Sequence, residues 1–94
     1  MTAGSADQSK KIKVRYFAWV RERVGKAEEE IAPPPDIATV AELMAWLARQ
    51  GEQYAYAFEN PKVIRAAIDR NHVRGEARIE GAGEIAFFPP MTGG

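Results

Sequence analysis

Glu84-Ile85-Ala86-Phe87-Phe88-Pro89-Pro90 is the stretch whose reading decides how this chain is built. Its first five residues make a strong strand, because β-branched and aromatic side chains pack well on a pleated surface. The two prolines end it, since proline lacks the N–H a ladder needs and holds φ fixed. Ile85 and Phe87 alternate with Ala86 and Phe88 across the two faces. One phenylalanine is therefore expected in the core and the other on the surface beside the chain's end, as an anchor for a partner. Register decides which, and the local sequence leaves that open.

Working outward, Lys11 to Ala18 supplies the best partner for this strand. Ile12, Val14 and Tyr16 alternate with Lys11, Lys13 and Arg15, the period of a half-buried strand, and Phe17 breaks the pattern where the chain bends away. These two strands are expected side by side at the centre of a sheet. Val20 and Val24, four apart with Gly25 beyond, predict a short helix over Trp19–Val24. Residues 26–32 read as a weaker strand ending at Ile31, with Glu28-Glu29-Glu30 mostly solvated. Pro33-Pro34-Pro35 is a rigid connector.

The main helix follows. Thr39 with Glu42 forms a capping box, and Val40, Leu43, Met44 and Leu47 fall at i, i+3, i+4 and i+7 on one stripe, with Gly51 as the stop. Residues 52–60, rich in tyrosine and phenylalanine, read as a second helical or irregular turn closed by Asn60-Pro61. Val63 to Ile68 is a short strand. Asp69 to Gly75 is a turn within which His72-Val73 pairs briefly, and Ile79 is the one apolar anchor of 76–80. The order implies an α+β fold of two layers, a mixed sheet of about five strands on one main helix. That is the β-grasp, ubiquitin-like arrangement. Residues 1–10 are expected to be a flexible N-terminal tail, 11–90 the domain, and 91–94 a flexible Gly-Gly tail.

Composition narrows the function classes. Among 94 residues, thirteen Lys and Arg balance thirteen Asp and Glu, so there is no overall basic excess of the kind that binds nucleic acid or a membrane surface. Cysteine is absent, which excludes disulfides, thiolate metal sites and a cysteine nucleophile. The first ten residues lack the apolar centre of a signal peptide, and a cytoplasmic location is expected. His72 has no histidine or cysteine to join it in a metal site, so it is read as a surface residue; Asp69 with Glu76 or Glu80 is read the same way.

The end of the chain is where chemistry fits. Pro89-Pro90 stiffens the exit from the strand, and Met91-Thr92-Gly93-Gly94 carries no charged side chain. Two glycines without Cβ atoms allow a terminal carboxylate to thread a narrow channel. Such a carboxylate becomes electrophilic once adenylated, and a sulfur or nitrogen nucleophile can then take it. On the residues alone, a merely frayed terminus serves equally well.

Phe87-Phe88-Pro89-Pro90-Met91-Thr92-Gly93-Gly94 resembles the C-terminal signature of the molybdopterin synthase small-subunit family, ubiquitin-like sulfur carriers. Lys13-Val14-Arg15-Tyr16-Phe17-Ala18, with Arg21-Glu22 and Gly25, resembles that family's first strand and short helix. The resemblance implies that Gly94 is adenylated and then thiocarboxylated, with Gly93, Thr92, Met91, Pro90 and Pro89 positioning the tail. It implies sulfur donation to cyclic pyranopterin monophosphate, and as partners the large synthase subunit, an E1-like adenylyltransferase and a sulfur donor. No catalytic residue, metal or bound cofactor is expected in this chain; ATP and magnesium belong to the activating enzyme. Arg65 and Arg70, with Arg74 and Arg78, are candidates for a basic face toward acidic partner residues, a solvated face being the alternative. Related carriers for thiamine, cysteine or tRNA thiolation, a protein modifier and a plain binding module remain as rivals. One departure stands out: where the family has a Gly-Asp-Glu type turn before the last strand, this chain has Ala82-Gly83-Glu84, so the acid that would close the turn is missing.

Overall fold

A computed structural model describes residues 11–90. The expectations for residues 1–10 and for Met91, Thr92, Gly93 and Gly94 lie outside the described residues. The elements in chain order are β1 (Ile12–Tyr16), α1 (Ala18–Val24), β2 (Glu28–Ile31), α2 (Val40–Ala48), α3 (Glu52–Ala57), a 3-10 turn (Pro61–Val63), β3 (Arg65–Ile68), β4 (Asn71–Val73) and β5 (Glu84–Phe88). The sheet order is β2-β1-β5-β3-β4. β1 and β5 lie side by side in parallel, while β2 runs antiparallel to β1 and β3 runs antiparallel to both β5 and β4. This is the β-grasp fold that the element order implies.

Alternation sorts the side chains as the sequence predicts. Ile12, Val14 and Tyr16 turn to the helical side with Ile85 and Phe87, and all five are buried. The stripe Val40, Leu43, Met44 and Leu47 covers them from α2. The Tyr16, Phe58 and Phe87 rings lie 5.3 to 6.5 Å apart between centroids, Phe58 edge-on to the other two. Pairs at such distances add to the burial itself. The capping box forms as read: the Thr39 hydroxyl accepts from the Glu42 N–H at 3.2 Å, and the Glu42 carboxylate accepts from the Thr39 N–H at 3.2 Å. Gly25 ends α1 with φ of 88°, a conformation that costs glycine little.

Three local readings change. α2 stops at Ala48 with Arg49 as its cap, and Gly51 instead opens α3, which packs against α1 and α2. The span read as a turn from Asp69 to Gly75 is tighter. Asp69 and Arg70, with φ of 47° and 74°, form a two-residue hairpin loop between β3 and β4, and Ile68 faces Asn71 across it. Both central residues at positive φ match a primed turn, which follows the strand twist. Glu29 is also not solvated: its side chain is 17% exposed. It stands opposite Val14 and shares that residue's inward face.

Candidate functional site

Topology gathers several separated residues at one end of the sheet. β5 delivers Pro89 there, and parallel β1 ends there too, so the Phe17 N–H donates to the Phe87 carbonyl at 3.1 Å. Antiparallel β3 begins there, with Arg65 opposite Phe88, and β4 ends there, with Val73 opposite Ala66. The register settles the two phenylalanines. Phe87 stands between Tyr16 and Ala66 and is 0% exposed. Phe88 turns to the helix-free face, half-buried, with its ring 5.3 Å from that of His72. Phe87 is thus a core residue and no direct surface anchor, while Phe88 is available to a partner.

Phe17 belongs with Phe88 and was not singled out from the sequence. It is 44% exposed, one of the few large apolar side chains on the surface. Its break in the strand's alternation was the available signal. The arginines do not form one face. Arg65 lies at the tail end, whereas Arg70 sits in the β3–β4 loop at the opposite end, and Arg78 lies beyond the sheet in a bridge to Thr39.

At that opposite end, Asp69 supplies the acid that the Ala82-Gly83-Glu84 turn lacks. Its Oδ1 accepts the N–H of Gly83 at 3.2 Å and of Glu84 at 3.0 Å, and its own N–H donates to the Glu84 carbonyl at 2.9 Å. Charge-assisted bonds of this kind pin the first residue of β5. The turn is closed from a neighbouring hairpin instead of from within.

The helix-free face carries ion pairs across β2, β1 and β5. Glu28 meets Arg15 at 3.3 Å and Lys13 at 3.6 Å, and Glu84 lies 3.8 Å from Arg15. Exposed pairs of this type contribute about 0–1 kcal/mol each. The inward face holds a tighter group. Glu29 Oε2 accepts from both the Tyr16 and Tyr54 hydroxyls at 2.7 Å, and Oε1 accepts from Lys26 Nζ at 3.0 Å. Burial works to raise the Glu29 carboxyl, but the hydrogen bonds from Tyr54, Tyr16 and Lys26 outweigh it and hold the group below the usual carboxylate range. Burial, followed by the bond to Glu29, pushes the Tyr16 hydroxyl far above its ordinary value. This group ties β2 to β1 and α3.

Among the described residues, no set of three or more His, Asp or Glu groups could hold a metal ion, and no helix is long and apolar enough to cross a membrane. The described residues at the tail end offer aromatic surface and cations.

The ThiS family model matches residues 14–94. Over 83 residues the chain is 41% identical to the molybdopterin synthase sulfur carrier subunit of Escherichia coli K12, covering 88% of this chain and 99% of that protein. It is 36% identical to the protein of the same name from Haemophilus influenzae over the same shares. Among solved structures, SAMP1 of Haloferax volcanii superposes with a TM-score of 0.67 at 19% identity, over 90% of this chain and 100% of that one. The Pyrococcus furiosus protein called molybdopterin converting factor, subunit 1, does so with a TM-score of 0.62 at 26% identity, over 88% and 100%.

Proposed function

Because the chain belongs to the ThiS family, we propose that it is the sulfur carrier subunit of molybdopterin synthase. The observation that carries this is the pairing of a near full-length match to carriers of that name with a central strand leading straight into Pro89-Pro90 at the sheet's end. In this reading the Gly94 carboxylate attacks the α-phosphorus of ATP, pyrophosphate leaves, and an acyl-adenylate forms. Hydrosulfide supplied by the donor then attacks the acyl carbon and displaces AMP, leaving a thiocarboxylate. The tail carries this sulfur to cyclic pyranopterin monophosphate in the large subunit, and two transfers complete the dithiolene.

This chain's own contribution is presentation. Pro89 and Pro90 stiffen the exit, Met91 and Thr92 serve to position the tail, and Gly93 has no Cβ to hinder the approach to Gly94. Phe88 and Phe17 offer apolar surface at the root of the tail, where a receiving protein would press. The chain needs no catalytic group, since the reacting centre lies in its partners: an E1-like adenylyltransferase that uses ATP and magnesium, a sulfur donor, and the large subunit with the catalytic site. Its place is the cytoplasm. The modifier reading is less favoured, because the likeness to SAMP1 at 19% identity speaks to fold alone.

Intact-mass measurement after incubation with the activating enzyme, ATP and sulfide tests the proposal. The expected product carries the mass change of one oxygen replaced by sulfur, and it converts precursor when mixed with the large subunit. A chain lacking Gly94 should fail to load while unfolding at nearly the same temperature. Recovery of only the unmodified carboxylate from the intact chain would refute the carrier reading.

A further inference from the structure

The tail end of the sheet carries a second feature that sulfur transfer itself does not use. A groove of about 500 Å³ lies between α2 and the β3–β4 hairpin, with Met44, Ile64 and Val73 among its apolar lining and Lys62, Arg65 and Arg74 among its polar lining. No acidic residue lines it. Lys62, Arg65 and Arg74 form no ion pair with any described residue, whereas Lys13, Arg15 and Lys26 across the sheet are matched by Glu28 and Glu29. Three cations without a salt-bridge partner among the described residues thus share one groove rim in a chain of zero net charge. Val63, 39% exposed in the 3-10 turn beside Lys62, adds apolar surface next to it.

We propose that this groove docks an acidic segment of the large synthase subunit, with an apolar side chain over Met44, Ile64 and Val73 and carboxylates against Lys62, Arg65 and Arg74. The inference rests on the carrier reading for the identity of the partner. Charge complementarity decides the chemistry of the occupant, since a basic rim without internal partners favours carboxylates and repels cations. Chain length brings the partner near. In the carrier reading the reacting Gly94 is four residues beyond Pro90, a reach of at most about 14 Å, so a protein that takes it must press against this end of the sheet. Arg65, opposite Phe88, stands where that protein arrives.

The test measures affinity between the full chain, in its unloaded carboxylate form, and the large subunit at low and moderate salt. The triple reversal Lys62→Glu, Arg65→Glu, Arg74→Glu should weaken binding at least tenfold at low salt. The control reversal Lys11→Glu, Arg49→Glu, Arg70→Glu makes the same change in net charge outside the groove and should stay within twofold of the parent. A neutral version, Lys62→Gln, Arg65→Gln, Arg74→Gln, serves if the reversal fails to fold by circular dichroism; it should bind more weakly and lose most of the parent's salt dependence. On titration, amide shifts of Ala41, Val73 and Gly75 should move in the parent. Unchanged affinity in the groove variants, equal loss in the control, or loss toward the adenylating enzyme alone would each overturn the proposal. Loading is read separately by mass. A chain that never forms a thiocarboxylate defeats the carrier reading, and one that loads normally but binds independently of the groove defeats only the docking.

Discussion

Replacing Glu29 by alanine removes the acceptor that two tyrosine hydroxyls share. Both donate to one carboxylate oxygen at 2.7 Å, and Tyr16 is 1% exposed, so water does not readily take the place of the lost partner. A hydrogen bond to a charged group contributes about 1.5–3 kcal/mol, and a buried donor left unsatisfied costs about 1–3 kcal/mol. The Lys26 pair is exposed and adds little. The expected loss for Glu29→Ala is therefore about 2–4 kcal/mol, lowering the unfolding temperature of a domain this size by roughly 10–25 °C. Glu29→Gln keeps a neutral acceptor and should cost about 1 kcal/mol. Urea denaturation followed by the fluorescence of Trp19 and Trp46 measures both. The pH dependence has a definite sign. A carboxyl held below its ordinary range contributes stability that is complete at neutral pH and is lost as pH falls through the depressed value. The gap between parent and Glu29→Gln should thus close on acidification below the ordinary carboxylate range. Tyr16→Phe should cost less in the Glu29→Ala background than in the parent, because the two changes remove one shared bond. A Glu29→Ala variant within about 0.5 kcal/mol of the parent, the range of ordinary surface changes, would refute the reasoning and restore a solvated Glu29.

Two further outcomes follow from the site geometry. Asp69→Ala removes the cap on the Gly83 and Glu84 N–H groups and places alanine at positive φ, and it should cost about 1–3 kcal/mol in urea denaturation; Asp69→Asn, which keeps an acceptor and tolerates that φ, should recover most of it. Phe87→Ala should cost about 3–5 kcal/mol by opening the core, whereas Phe88→Ala should unfold within about 1 kcal/mol of the parent yet bind the large subunit more weakly in a calorimetric titration.

Much of this protein was legible as sequence because the informative signals were local. Period-two alternation in 11–18 and 84–88, the capping box at Thr39 and Glu42, and the helical stripe through Leu47 each depend on residues a few positions apart. They yielded the element order and, with it, the β-grasp fold. The Phe-Phe-Pro-Pro run and the glycines after it pointed to the family in the same way, through contiguous residues. What stayed hidden was everything that depends on which strand lies beside which. Phe87 and Phe88 were interchangeable until pairing with Tyr16 and Ala66 set the register. Glu29 read as one of three solvated acids, because a glutamate's preference for water is a local statement. Only the approach of Tyr16 and Tyr54, 13 and 25 residues away, makes its burial favourable. Asp69 closing a turn 14 residues downstream is likewise a consequence of antiparallel pairing, and Arg65 parts company from Arg70 because extended β3 holds them at its two ends. Local periodicity chose the elements; long-range hydrogen bonding and packing chose which side chains meet at the tail.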